Sequence, residues 1–204
     1  MINYSIYRIA EKIAKEYIHK NHYSHGSHNH PHLNYGLYDR DALIGVCMFA
    51  QPCSEYVRAY PFGKEEKDRV LELHRLHILD VTLKNTESYF IAKCLKATAI
   101  DLENIKCILA YSDPSAGHTG IIYRATNALY LGRTPSFTFY MDKDKRLHHP
   151  RQNTKNISKE QALERGWIPV RRGQKYRYAW IIGKNKQDKR YWRKKLIHDS
   201  LPYP

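Results

Sequence analysis

Polar side chains that could take part in a reaction stand where predicted strands and helices meet, namely Arg75, Ser88, Asp113 and Tyr123. Asp113 ends an apolar run and precedes a proline and a glycine-containing helix start. Its carboxylate could therefore face an active-site cleft at the helix N-terminus, or could only cap that helix. Tyr123 could present its phenol to a cleft as a proton donor, or could be a core residue with its hydroxyl at the rim.

Two other residues could likewise have either a functional or a structural role. Ser88 lies in the first turn of a predicted helix that opens at Asn85 and Thr86, so its hydroxyl could bind a phosphate or could be an ordinary first-turn residue. Arg75 lies among aliphatic residues in a predicted strand that is covered on both faces, where a guanidinium needs a hydrogen-bond acceptor. The acceptors open to it are a bound substrate and two carboxylates, Asp80 and Asp113.

Six histidines lie between His19 and His32, and imidazole clusters can bind transition metals. His22 follows the first predicted helix directly, so with Tyr23 it could join Asp113 in a mixed nitrogen and oxygen site of the kind that iron accepts. The other interpretation is an exposed polar loop with loose metal affinity. That interpretation is preferred for most of the cluster, His25, His28, His30 and His32.

The elements that must position these residues follow from hydrophobic periodicity and turn residues. Helices are predicted over residues 4–20, 85–104, 117–127 and 158–165, and strands over 33–39, 42–50, 71–79, 108–112, 129–132, 137–141 and 176–182. Strands 33–39 and 42–50 read as a hairpin. Residues 71–133 read as β-α-β-α-β, whose right-handed crossovers allow parallel neighbours with a ligand cleft at the strand ends.

Charged residues are distributed unevenly along the chain. Residues 133–204 hold 19 Lys and Arg against 6 Asp and Glu, whereas residues 1–132 hold 15 against 14. A polycationic segment with interspersed aromatic residues is typical of nucleic-acid binding, the alternatives being a solubilising surface or contact with an anionic membrane. We expect a soluble protein, with no membrane-spanning run or signal peptide, and with its four cysteines reduced. The predicted organisation is a core over 1–135 and a basic C-terminal extension over 136–204 that completes the domain and contacts nucleic acid.

Five motifs resemble the phage Mom family, which converts adenines of phage DNA to N6-carbamoylmethyladenine and so shields the DNA from host restriction. They are ELHRL (72–76), NTES (85–88), YSDPSAGHTG (111–120), IYRATN (122–127) and YLGRT (130–134). The likeness covers residues 17–135 clearly and the basic tail loosely. It implies an α/β (α+β) fold of the GNAT acyltransferase type, a mixed sheet with splayed central strands flanked by helices.

The resemblance also implies a site. Strands 71–79 and 108–112 would be the splayed pair, with the pantetheine arm of acetyl-CoA or a related acyl-CoA between them. Residues Asn85, Thr86 and Ser88 would face its pyrophosphate. The family's functional residues fall on His22, Tyr23, Arg75, Ser88, Asp113 and Tyr123, with iron near His22, Tyr23 and Asp113. One departure concerns the pyrophosphate loop, because residues 80–85 contain no glycine and a backbone without glycine approaches a phosphate less closely.

The resulting hypothesis is a DNA adenine hypermodification enzyme that acts in the host cytoplasm on double-stranded phage DNA. Tyr123 and Asp113 would face the same cleft. The competing hypotheses are an ordinary N-acetyltransferase acting on RNA, protein or a small amine, and a non-catalytic nucleic-acid-binding protein with an inactive core. A histidine-dependent nuclease ranks last, because the predicted order contains no ββα-metal unit at the histidine-rich loop. A homodimer is left open.

Overall fold

The structure is a computed structural model that describes residues 4–22, 26, 31–148, 150 and 157–204. Its larger sheet has the strand order β1-β2-β3-β4-β5-β10-β6, and its smaller sheet the order β8-β7-β9. The strands are β1 Ser5–Arg8, β2 Pro31–Asp39, β3 Ala42–Ala50, β4 Val70–Ile78, β5 Cys107–Ser112, β6 Leu129–Arg133, β7 Phe137–Met141, β8 Leu147–His148, β9 Ile168–Arg172 and β10 Tyr176–Ile181. The helices are α1 Glu11–Asn21, α2 Glu55–Ala59, α3 Thr86–Asp101, α4 Ile121–Ala125, α5 Lys159–Glu164 and α6 Lys186–Lys194, with 3-10 turns at Lys64–Arg69 and Pro114–Ala116.

The chain forms two compact units. The first comprises residues 1–111, 120–132 and 177–204 and contains the larger sheet. The second comprises residues 112–119 and 133–176 and contains the smaller sheet, in which β7 pairs antiparallel with both β8 and β9. Residues 177–204, which belong to the basic extension, thus contribute to the sheet of the first unit.

The N-terminal hairpin is confirmed. β2 and β3 pair antiparallel up to Asp39 and Ala42, and the turn places Arg40 at φ 53°. The single helix predicted over residues 4–20 is wrong at its start, where β1 pairs with β2 and α1 begins only at Glu11. The spacing of Ile6, Ile9 and Ile13 fits a helix that begins before Glu11. Residues 5–8 form a strand instead, because there they make backbone hydrogen bonds with the edge of β2.

The two central strands diverge as predicted. β4 and β5 pair in parallel only from Val70–Cys107 to Glu72–Leu109, although β4 continues for six residues beyond Glu72. On its other side β4 pairs with β3, with a bulge opposite Met48 and Phe49. β5 and β6, which follow one another in the chain, are not neighbours in the sheet, because β10 from the C-terminal segment lies between them.

Helices cover both faces of the larger sheet. Val46 and Met48 of β3 pack against α1, whereas Cys47 between them contacts Cys94 of α3. A second cluster beneath α2 and α6 contains Phe62, Val70, Cys107, Leu109, Leu131, Ala179 and Trp192. Cys47, Cys94 and Cys107 are buried free thiols and Cys53 is an exposed one. Among the described residues, no helix is long and apolar enough to cross a membrane.

Candidate active site

Tyr123 lies on α4 in the first unit with its ring held among aromatic side chains. Its ring centroid is 5.3 Å from that of Tyr178 and 5.4 Å from that of Trp180, the latter edge-on. Its hydroxyl points to the main-chain carbonyl oxygen of Tyr111 on β5, at 3.5 Å. The phenol is therefore placed beside the part of β5 that lies beyond the last pair with β4.

Gly120 fixes the start of α4 and thereby the place of Tyr123. Its φ of +78° lies in the left-handed region, and a Cβ atom there would stand 2.5 Å from the Tyr178 ring. Only glycine satisfies both conditions. The helix predicted over residues 117–127 is consequently shorter, because Gly117 is also left-handed and α4 begins at Ile121.

Asp113 belongs to the second unit and caps the 3-10 turn Pro114–Ala116. Its carboxylate accepts hydrogen bonds from the amide and the hydroxyl of Ser115. Burial raises the pKa of Asp113, but the bonds from Ser115 and the positive charges of Lys175 and Arg172 bring the net pKa below its usual range. The group is thus an ionised cap, which agrees with the capping interpretation and leaves its role as a base a prediction.

The start of α3 has an unusual backbone. Asn85 occupies the N-cap position with φ 68°, and its side chain makes no capping hydrogen bond. The Ser88 hydroxyl donates to the Asn85 carbonyl oxygen at 3.0 Å. Thr86 is buried, and its hydroxyl donates to the Leu83 carbonyl oxygen at 2.6 Å. Asn tolerates the left-handed region better than most residues, so Asn85 supplies the conformation that a glycine would give to a phosphate-binding loop.

Arg75 finds its acceptors on the backbone. Its Nε donates to the Gly26 carbonyl oxygen at 2.8 Å and its Nη1 to the His74 carbonyl oxygen at 2.7 Å. The expected partners Asp80 and Asp113 form no ion pair with it among the described residues. The guanidinium therefore ties the backbone at Gly26 to β4.

His22 is buried at the end of α1 and lies beside a histidine that the sequence did not single out. The His22 ring centroid is 6.2 Å from that of His77 on β4. Tyr17 donates its hydroxyl hydrogen to the Ile44 carbonyl oxygen at 2.8 Å, while its oxygen lies 3.3 Å from His77 Nδ1. The Tyr17 oxygen must then accept from His77, so neutral His77 carries its proton on Nδ1. Burial lowers the pKa of His77, against the opposing charges of Asp80 and Glu87.

Metal binding stays a prediction. Tyr23 lies outside the described residues, as do His25, His28 and His30, whereas His32 is described and exposed. Within the described part of the chain, no three His, Cys, Asp or Glu side chains are grouped so that they could hold a metal ion.

The basic C-terminal segment forms a well-anchored helix. On its inner side Trp192 is buried and Asp188 forms an ion pair with Lys106, with Nζ and Oδ2 2.8 Å apart. Its outer side, which we call the basic face of α6, carries five exposed cations at helical spacing, Lys186, Lys189, Arg190, Arg193 and Lys194. Nothing acidic interrupts this face, so it can follow a phosphate backbone.

The fold is similar to that of GNAT acetyltransferases of known structure. Arabidopsis thaliana NAA60 in complex with acetyl-CoA aligns with a TM-score of 0.52 at 9% identity, covering 88% of this chain and 99% of that one. The ribosomal-protein-S18-alanine N-acetyltransferase of Escherichia coli aligns with a TM-score of 0.50 at 8% identity, covering 91% and 98%. These similarities confirm the predicted GNAT-like sheet with splayed central strands.

Sequence comparison identifies the protein family within this fold. The methylcarbamoylase mom of Escherichia phage Mu is 25% identical over 128 residues, which are 63% of this chain. The match spans only about half of that relative, 53% of its length. The model of the Mom protein family matches residues 3–204, practically the whole chain. The resemblance seen in the motifs is thereby confirmed, and the chain belongs to the Mom protein family.

Proposed function

We propose that this chain is a DNA-modifying transferase that places a carbamoylmethyl group on N6 of adenine in phage DNA, and so protects the DNA from restriction. The observation that carries the proposal is the divergence of β4 and β5 beyond the pair Glu72–Leu109 in a chain of the Mom family. Tyr123 lies at the β5 side of that gap. Membership of the family and similarity to its phage Mu member support adenine as the target.

An acyl-CoA in the gap would supply a group activated as a thioester. The first turn of α3 would hold its pyrophosphate, with the left-handed Asn85 directing main-chain amides outward and Ser88 at hydrogen-bond reach. Thr86 would shape this turn through its bond to Leu83 instead of contacting the cofactor. Tyr123 would donate its phenolic proton to the departing thiolate.

Other residues would act on the DNA side. Arg75 would hold Gly26 against β4, because it donates to the main-chain oxygens of Gly26 and His74. Asp113, ionised in its cap, would accept the proton that adenine N6 loses. The target adenine would leave the duplex stack, and the basic face of α6 would hold the phosphate backbone.

The connectivity of the product calls for more than simple acyl transfer. An acetyl group passed from acetyl-CoA would bond N6 to the carbonyl carbon, whereas a carbamoylmethyl group bonds it to the methylene carbon. The proposal therefore includes a separate donor of the carbamoylmethyl group and iron to activate it, for which His22, Tyr23 and Asp113 would be the ligands.

Nucleoside analysis tests this function directly. DNA is isolated from cells that express the wild-type chain, Asp113→Ala or Tyr123→Phe, digested to nucleosides and analysed by mass spectrometry. We expect carbamoylmethyladenine from the wild type and a large loss in both variants. N6-acetyladenine in the DNA would support an ordinary N-acetyltransferase. Acetylated RNA or peptide together with unmodified DNA would support it as well. Salt-sensitive DNA binding with unmodified nucleosides would support a non-catalytic binding protein.

A further inference from the structure

Arg177 on β10 is a buried cation that forms no ion pair with the described residues, although the charge of Glu72 acts on the neighbouring Tyr111. It is only 4% exposed, and its Nε has no hydrogen-bond partner among the described residues. A buried charge outside any ion pair is unfavourable unless a bound group compensates it. Such a group indicates a ligand that the protein binds there.

Aromatic rings hold the guanidinium in place. Its central carbon lies 3.7 Å from the ring centroid of Tyr60 and 5.9 Å from that of Tyr111. Tyr60 is itself stacked on His198 at 3.9 Å, and its hydroxyl donates to the Leu131 carbonyl oxygen at 3.3 Å. Rings that pack against a guanidinium fix its orientation but do not neutralise its charge.

Tyr111 adds a second hydrogen-bond donor beside Arg177. Its hydroxyl is buried beside the guanidinium, from which its oxygen can accept, and its own hydrogen has no acceptor among the described residues. Burial and the charge of Glu72 raise the pKa of Tyr111 to about 12, against the opposing charge of Arg177, so the phenol keeps its proton. The phenol oxygen can accept from the guanidinium, but the phenolic hydrogen and the Arg177 Nε–H still lack an acceptor among the described residues. A bound group that accepts hydrogen bonds would satisfy both donors.

The pair lies at the gap between the central strands. Tyr111 is two residues beyond Leu109, the last residue of β5 that pairs with β4. Along β10, side chains alternate between faces, so Arg177 shares the face of Ala179 while Tyr178 and Trp180 point to the other side with Tyr123. The pair therefore faces the α2 and α6 side, and the main chain of Tyr111 connects it with the phenol of Tyr123.

We propose that Arg177 and Tyr111 form a binding site for a compact oxyanion at the open end of the β4–β5 gap. An anion fits this site because it would compensate the buried charge as well as accept both hydrogen bonds. Two sources carry this chemistry: a phosphate of the nucleotide being modified, or a carboxylate of the group being transferred. The site rests on the geometry of the first unit alone, and only the naming of its two sources rests on the proposed function.

The test is a direct binding measurement on the full chain labelled with ¹⁵N-arginine. The Nε–H resonance of Arg177 is assigned by its loss in Arg177→Lys and is followed during titration with adenosine 5′-monophosphate, with acetate and with adenosine. We expect an anion, but not adenosine, to move it. Movement by the nucleotide alone assigns the phosphate, and movement by acetate assigns the carboxylate. An unmoved resonance with both anions overturns the site.

Two variants sharpen the result. Tyr111→Phe should raise the dissociation constant of the effective anion about tenfold or more, since it removes a hydrogen bond to a charged group. Arg124→Lys, at an exposed arginine over the Tyr203 ring in the same unit, should leave it unchanged. If both variants raised the dissociation constant equally, the anion would be attracted by the general positive charge of the protein, and the site would be refuted.

Thermal unfolding gives a second readout that does not depend on activity. The effective anion should raise the unfolding temperature of the wild type, because it binds only the folded state, and should not raise that of Arg177→Met. An equal gain in that variant would overturn the proposal. Anion binding together with unmodified nucleosides would refute the proposed function and leave this site in place.

Discussion

The phenol of Tyr123 lies 3.5 Å from the main-chain carbonyl oxygen of Tyr111, on the strand that forms one wall of the central gap. This distance is at the long limit for a bond between a hydroxyl and a carbonyl oxygen. The ring, by contrast, is firmly packed against Tyr178 and Trp180, which also donates its indole N–H to the Thr126 carbonyl oxygen at 3.1 Å. The position of the phenol is thus set by the ring more than by its hydroxyl.

Tyr123→Phe should therefore separate chemistry from folding. The variant keeps the ring contacts, so its unfolding temperature should stay within a few degrees of the wild type. Loss of a proton donor should lower the fraction of modified adenine about a hundredfold or more. Quantitative nucleoside analysis and a thermal melt measure the two effects. Undiminished modification would exclude Tyr123 as the proton donor.

Local sequence patterns predicted those parts of the fold that depend on neighbours in the chain. The hairpin of β2 and β3 and the α3 helix follow from alternation, turn residues and an apolar stripe, and the structure has them within a few residues of their predicted bounds. The position of β10 between β5 and β6 depends on pairing across more than forty residues. No local pattern carries that information, because the same strand could have paired at an outer edge.

In the candidate site, too, local sequence predicted the elements but not the contacts between residues distant in the chain. The motifs around Arg75, Ser88 and Tyr123 pointed to β4, α3 and α4 as the elements of the site, which stays a prediction. Hydrogen-bond partners such as the Gly26 carbonyl oxygen for Arg75 arise only in three dimensions. Arg177 was indistinguishable in the sequence from the other cations of a basic segment. Its burial, and with it the oxyanion site, follows from the place of β10 in the sheet.

The backbone at Asn85 gives a test of the cofactor-binding turn. Asn85→Gly should keep or slightly raise stability, because glycine adopts φ 68° without strain. Asn85→Val should cost about 1 to 2 kcal/mol of unfolding free energy, since a β-branched residue in the left-handed region is strained. Calorimetric titration with CoA should show binding kept in the glycine variant and weakened in the valine variant. Equal CoA affinity of both would place the cofactor away from this turn.

His77 should make stability depend on pH on the acid side of neutrality. Its folded pKa is lowered below 6.5, so the unfolded chain binds its proton first as pH falls. The free energy of unfolding is therefore unaffected by His77 above pH 6.5 and falls below it. One group can lower it by at most about 1.4 kcal/mol per pH unit. Denaturant unfolding of His77→Gln between pH 7.5 and about 5 should show a shallower decline than the wild type. Parallel curves would mean that His77 does not titrate in this range.

The basic face of α6 should dominate the salt dependence of DNA binding. Each phosphate contact contributes about −0.9 to the slope of log K against log salt, so replacing Lys186, Lys189 and Arg190 with Gln should reduce the slope by about 3. A matched control replaces Lys12, Lys93 and Lys96, which are exposed on α1 and α3, with Gln. Both triple variants lose three positive charges, so a difference between them reports contact and not net charge. Fluorescence titration of a labelled duplex across a salt series measures the slopes. If the control reduces the slope as much as the α6 variant does, DNA is held by the overall charge of the chain and the basic face of α6 has no special part in it.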